Sequence, residues 1–111
     1  MAGTDLVVIG AGPGGYVAAI RAAQLGMKVV IACGGTCLNY GCIPTKALYK
    51  NAQVMGYMDH SREFGIEIDG YRLDMEQVQA RKNKIVKTLT GGVEYLLKSN
   101  KVAIEKGCAK I

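Results

Sequence analysis

The chain has 111 residues, enough for one small domain. Its formal net charge of +5 is unevenly spread: no acidic residue lies between Asp5 and Asp59, whereas Arg21, Lys28, Lys46 and Lys50 do, a balance that suits a phosphate-bearing ligand. Aromatic residues make up 6% and form no basic–aromatic platform, which argues against nucleic acid, and no apolar run is long enough to span a membrane.

Asp5-Leu6-Val7-Val8-Ile9 is a short β-branched run and reads as a fully buried parallel strand. It feeds into Gly10-Ala11-Gly12-Pro13-Gly14-Gly15. Tyr16 to Leu25 follows, rich in helix formers and ended by Gly26. Lys28 to Ala32 is a second buried strand, which completes a β-α-β unit. Gly10, Gly12 and Gly15 form the G-x-G-x-x-G pattern of dinucleotide binding. The first glycine permits the tight turn, the second admits a pyrophosphate against the backbone, and the third lets helix pack on strand. Gly14 lies in the same loop, and the pyrophosphate would sit on the helix N-terminus.

One part of that fingerprint is absent. An Asp or Glu about 20 residues after the glycines should end the second strand and hold the ribose hydroxyls. The sequence has Cys33 there, followed at once by Gly34-Gly35. A ribose without that charged partner loses roughly tenfold to a hundredfold in affinity. Cys33 itself reads as a small residue at a strand end.

The next stretch is Gly34-Gly35-Thr36-Cys37-Leu38-Asn39-Tyr40-Gly41-Cys42-Ile43-Pro44-Thr45-Lys46. Pro44 is suited to the first turn of a helix, here expected to run roughly from Pro44 to Met58. Cys42 then lies at the positive end of a helix dipole with Lys46 one turn further in, and both favour a thiolate. A bridge between Cys37 and Cys42 needs an irregular turn, which Gly41 can supply. Spacing alone leaves three readings open. They are a redox pair, inert buried thiols, and a zinc site drawn from Cys33, Cys37, Cys42 and Cys108, although the paired C-x2-C spacing typical of zinc is missing.

Leu48, Ala52, Met55 and Met58 read as the inward face of this helix. His60, the single histidine, falls in the polar stretch Asp59 to Glu63 and reads as an exposed helix end without a catalytic role. Phe64 to Leu73 alternates apolar and polar residues, an exposed excursion or short strand. Asp74 reads as an N-cap, with Gln77 three residues on, of a long helix reaching about Ser99. Its apolar stripe is Met75, Val78, Ile85, Leu89, Val93 and Leu96. Arg81, Lys82, Lys84 and Lys87 read as a solvated face, and Gly91-Gly92 as a kink. Lys101 to Glu105 is a third strand, and Lys106 to Ile111 ends the chain. There are no repeats and no flexible linker.

The thirteen residues from Gly34 to Lys46, with the glycine fingerprint before them, closely resemble the flavin-dependent pyridine nucleotide–disulfide oxidoreductases. Leu38, Ile43, Thr45 and Ala47-Leu48 are most similar to the dihydrolipoamide dehydrogenase branch. The resemblance implies an α/β fold: the N-terminal portion, spanning residues 1–111, of a three-layer (ββα) Rossmann-like FAD/NAD(P)-binding domain that continues beyond this point. NAD-binding and dimerisation domains, and the histidine base of these homodimeric enzymes, are expected outside it. It implies FAD as cofactor, NAD as the acceptor of the full-length family, a lipoamide-type dithiol as substrate, and no metal.

By the same resemblance Cys37 is the interchange thiol that meets the substrate, and Cys42 is the thiolate that faces the flavin. Lys46 lies near the reactive flavin edge. Gly10, Gly12, Gly14 and Gly15 hold the pyrophosphate, Gly35 and Thr36 help seat it, and the backbone at Ala109 meets the adenine. Cys108 matches a variable position. The connection between the second strand and Gly34 is shorter than in the family. The expectation for the chain alone is family ancestry without NAD-linked turnover. The alternatives are a non-enzymatic dinucleotide-binding module, an inactive truncated relic, or a thiol–disulfide protein working without flavin. A reactive cysteine pair without structural bridges, and an N-terminus lacking a secretory leader, point to the reducing cytoplasm.

Overall fold

The computed structural model describes residues 3–32 and 34–111. The reading of Cys33 as a strand-end residue lies outside the described residues. Three strands, β1 (Leu6–Ile9), β2 (Val29–Ala32) and β3 (Ala103–Glu105), form a parallel sheet in the order β1-β2-β3. Leu6 pairs with Val29, and Val30 pairs with Ala103. Helix α1 (Pro13–Gln24) joins β1 to β2. Helices α2 (Thr36–Asn39), α3 (Cys42–Asp59) and α4 (Met75–Ser99) lie between β2 and β3. This is the α/β, Rossmann-like arrangement expected of a partial dinucleotide-binding domain.

The core lies between one sheet face and the helices α1 and α4. Ala19 and Ala22 of α1, Val29 and Ile31 of β2, Leu97 of α4 and Val102 are buried together with Ala11. Leu6, Val8, Val93 and Ile104 pack against them. Small alanines on α1 let the helix lie close to the β-branched surface.

The opposite sheet face differs from the expectation of a fully buried β1. Val7 is 49% and Ile9 56% exposed. Successive strand residues point to opposite sides. Helices α1 and α4 cover the side of Leu6 and Val8 only, so the described residues make two layers of the expected three.

The molecule is elongated. Its radius of gyration is 19.9 Å and its extents are 66 × 25 × 20 Å, against roughly 13 Å for a compact chain of this size. The cause is the hairpin of α3 and α4. The C-terminal half of α4 packs on the sheet through Val93 and Leu97, while its N-terminal half runs back along α3. Asp74 caps α4 as expected, its Oδ1 accepting from the Gln77 N–H at 3.1 Å. Gly91 and Gly92 do not interrupt the helix.

The inward faces of both long helices keep only part of the expected stripes: Val78 is buried, and Met55 and Met58 of α3 and Ile85 and Val93 of α4 are half-buried. In α3, Pro44 and Ala47 are buried, whereas Leu48 and Ala52 are exposed. In α4, Val78 and Leu97 are buried, whereas Met75, Leu89 and Leu96 are exposed. Residues 64–73 form an exposed excursion without a strand. His60 caps α3 at the surface and pairs with Glu63 at 3.1 Å.

Candidate functional site: a glycine cradle and a disulfide at a helix start

The chain leaves β1 through Gly10, whose φ of +101° is the left-handed region that favours glycine. The Gly10 N–H donates to the Ala32 carbonyl oxygen at 3.3 Å, which ties the turn to the end of β2. Gly12 is the N-cap of α1 in an extended conformation, and Pro13 takes the first helical position. No side chain caps this helix, and its first turn holds no acid. Its leading N–H groups therefore face outward at the positive end of the dipole.

The glycines divide their work as the fingerprint requires. A Cβ at Gly15 would collide with the Gly10 carbonyl oxygen, so helix and strand meet there backbone to backbone. At Gly12 and Gly14 a Cβ would stand in open space. A second glycine pair closes the other side. Gly35, at φ +104°, lies so near the first loop that its Cβ would stand 2.8 Å from the Ala11 carbonyl oxygen and 3.1 Å from the Gly12 nitrogen.

Thr36 begins α2 directly after this contact. The Thr36 carbonyl oxygen accepts from the N–H groups of both Tyr40 and Gly41, at 2.8 and 2.7 Å. That pair of hydrogen bonds to one oxygen ends α2 after a single turn and folds the chain back. Gly41 fits because a Cβ would press on the same oxygen at 3.2 Å. Asn39 Nδ2 donates to the Gly35 carbonyl oxygen at 2.9 Å and ties the turn to the glycine cradle. Cys37 and Cys42 are thereby brought to a Cα separation of 4.6 Å and joined by a disulfide. Both sulfurs are in the bridge, an arrangement in keeping with the redox-pair reading. Among the described residues no group of three or more potential metal ligands occurs.

Cys42 is the first residue of α3, exposed, with no acid in that turn. Lys46 stands exposed in the following turn. Cys42 thus sits at the positive end of the α3 dipole, with Lys46 one turn further in. Cys37, half-buried in α2, is its partner.

A cavity of about 410 Å³ opens beside these loops, at the carboxyl ends of the strands. Ala11, Gly34, Gly35 and Thr36 line one side. Thr90, Val93, Glu94 and Leu97 of α4, with Ile104 and Lys106, line the other. Of the expected site residues, Gly35 and Thr36 line this cavity; Gly10 is tied to the end of β2, Gly15 packs on Gly10, Gly35 packs on the Ala11–Gly12 backbone, and Cys37 and Cys42 follow in the next turn. Ala109 does not line the cavity and is exposed in the irregular segment after β3. That Glu94 and Lys106 line this cavity was not legible in the sequence. Glu94 precedes Lys98 by four positions, which reads as an ordinary surface pair.

A βαβ unit with a bare helix start beside a glycine cradle is the arrangement of dinucleotide-binding folds, and here a disulfide lies on the second crossover. The chain belongs to the pyridine nucleotide-disulphide oxidoreductase family, whose profile matches residues 4–111. A dihydrolipoyl dehydrogenase of Geobacillus stearothermophilus is 56% identical over 108 residues, which cover 94% of this chain and 23% of the relative. A dihydrolipoyl dehydrogenase of Staphylococcus aureus is 55% identical over the same length and shares. A mitochondrial dihydrolipoyl dehydrogenase of Sus scrofa is 50% identical over 115 residues, 96% of this chain and 22% of the relative. The chain therefore spans less than a quarter of the length of the curated relatives it matches.

Proposed function

We propose that these residues carry the FAD-binding and disulfide parts of a dihydrolipoyl dehydrogenase. The observation that carries the reading is the Cys37–Cys42 disulfide at the start of α3, folded against a glycine cradle that also serves α1. The cradle fits a diphosphate: Gly12 and Gly14 leave open the space where side chains would stand, and α1 offers uncapped N–H groups.

In this reading one thiolate of a dihydrolipoamide-type dithiol attacks the Cys37 sulfur. The Cys37–Cys42 bond breaks, and the electron pair leaves on Cys42, where the α3 dipole and Lys46 support it. The second substrate thiolate attacks the mixed disulfide, releases the Cys37 thiolate and closes the oxidised substrate ring. Two protons pass from the substrate thiols to solvent or to the new thiolates. FAD, when bound, supplies the acceptor for the two electrons then held by the cysteine pair. Gly10, Gly12, Gly14, Gly15, Gly35 and Thr36 would hold its diphosphate, and the backbone at Ala109 its adenine. NAD⁺ as final acceptor, and homodimer formation, belong to the activity proposed for the whole protein, which the 111 residues would not complete alone.

The N-terminal dinucleotide-binding portion is the domain assignment that goes with this reading. The proposed setting is the cytoplasm, supported by Cys108, which is exposed and unbridged. No helix among the described residues is long and apolar enough to cross a membrane.

Thiol counting tests the exchange step. Treatment with dihydrolipoamide, followed by removal of the reagent, should expose two additional titratable thiols, whereas Cys37→Ser and Cys42→Ser, in which the remaining cysteine is already free, should gain none. Failure to gain them would exclude the exchange chemistry.

A further inference from the structure

The missing strand-end acid leaves the proposed nucleotide without its usual ribose partner. Nothing acidic lies between Asp5 and Asp59, so the deficit cannot be met from β2 or its connection. The cavity at the strand ends nevertheless contains one carboxylate. Glu94 of α4 shares the lining with Ala11, Gly34 and Gly35, and among the described residues it is the only acidic one there.

Three features suit Glu94 to a sugar diol. Its Oε1 accepts from Lys98 Nζ at 2.7 Å, and no described residue bonds to Oε2. That bond and the charge of Lys98, with a smaller contribution from Lys106, hold the carboxyl below the usual glutamate range, so it is ionised near neutrality. It also stands at the carboxyl ends of all three strands. Gly10 and Ala11 follow β1, Gly34 and Gly35 follow β2, and Lys106 follows β3. A nucleotide lying across a parallel sheet occupies this crevice.

We propose that Glu94 takes the place of the absent strand-end acid and accepts the hydroxyl hydrogen bonds of the adenosine ribose. The assignment rests on the nucleotide-binding reading above. A carboxylate delivered from α4 serves the same chemistry as one delivered from β2, because a ribose diol needs an ionised acceptor within reach and is indifferent to its chain position.

The test titrates the whole 111-residue chain with ADP and with 2′-deoxy-ADP by calorimetry, for wild type and Glu94→Gln. Because Glu94 is exposed, the variant should keep its circular dichroism and thermal midpoint within a few degrees. The expected result is a preference of about tenfold or more for ADP in the wild type, a ratio near one in Glu94→Gln, and similar 2′-deoxy-ADP affinities in both. A preference that survives in Glu94→Gln, or one that is absent in the wild type, overturns the role of Glu94 and leaves the nucleotide-binding reading standing. A wild type that binds neither ADP nor FAD overturns both.

Discussion

The Arg81 guanidinium donates to the Ala47 carbonyl oxygen at 3.0 Å, joining α4 to the second turn of α3 across 34 residues of sequence. The same nitrogen donates to Asn51 Oδ1 at 3.1 Å. Ala47 follows Lys46 directly, so this clamp fixes the helix that carries Cys42. The α3 face against α4 is thin in apolar area, with only Pro44 and Ala47 fully buried. Arg81→Met keeps the stem and removes both bonds. It should cost about 1–2 kcal/mol and lower the thermal midpoint by roughly 5–10 °C, with Arg81→Lys in between. Thermal melts by circular dichroism decide this; an unchanged Arg81→Met midpoint would mean that apolar packing alone holds the hairpin.

Lys101 offers a gain rather than a loss. It sits at φ +61° just past the end of α4, where the Lys101 N–H donates to the Lys98 carbonyl oxygen at 3.0 Å and the Val102 N–H to that of Leu97 at 3.0 Å. Helix α1 ends with the same pair of bonds, but there Gly26 takes the left-handed position at φ +92°. A side chain in that region is strained, and glycine relieves it. Lys101→Gly should raise stability by about 0.5–1 kcal/mol, measurable as a higher denaturation midpoint in urea at unchanged slope.

Gly15→Ala should undo the cradle. The added methyl would overlap the Gly10 carbonyl oxygen, which is backbone and cannot swing aside. We expect FAD affinity to fall by at least about tenfold, with the far-ultraviolet circular dichroism largely retained, since α1 must move outward from β1. Gly14→Ala, whose methyl would meet nothing in the chain, separates ligand clash from fold damage. It should leave the melting midpoint intact and still weaken binding.

The parts that local chemistry decides could be read from the sequence. Gly10, Gly12 and Gly15 require their roles through backbone conformation and close approach, and Asp74 caps through a bond three residues away. The Cys37–Cys42 bridge and its need for an irregular turn at Gly41 were legible, but the device that makes the turn, α2 ending after one turn on the doubly used Thr36 oxygen, was not. The helix faces were only partly legible because each long helix changes partner along its length. Helix α4 faces α3 near Val78 and the sheet near Leu97, so no single stripe through Leu89 and Leu96 describes it. Likewise the β-branched run of β1 encodes two covered faces, and among the described residues only the Leu6 and Val8 side is covered. The approach of Glu94 to Gly34 depends on how α4 returns to the sheet, which sequence spacing does not reveal.

The surface pairs predict a pH response of definite sign. Tyr71 donates to Asp59 Oδ1 at 2.6 Å, and this bond, then burial and the Asp59 charge, raises its pKa above the usual 10.0. A raised folded value means the contribution is complete below the ordinary value and is lost as pH rises through the folded one. The midpoint difference between wild type and Tyr71→Phe should therefore be constant near neutrality and shrink above about pH 10. Glu94 behaves oppositely: its lowered pKa contributes above the ordinary value of 4.5 and fades as acid titrates it. Both groups are exposed, so the shifts should be small.

The central claim is that the disulfide at the start of α3 still addresses a flavin held on the glycine cradle. The most direct measurement is the visible spectrum of the purified chain with added FAD, before and after two-electron reduction. The account predicts bound flavin, and after reduction a long-wavelength charge-transfer band that disappears in Cys42→Ser. Flavin that remains free in solution, with no such band, would contradict it.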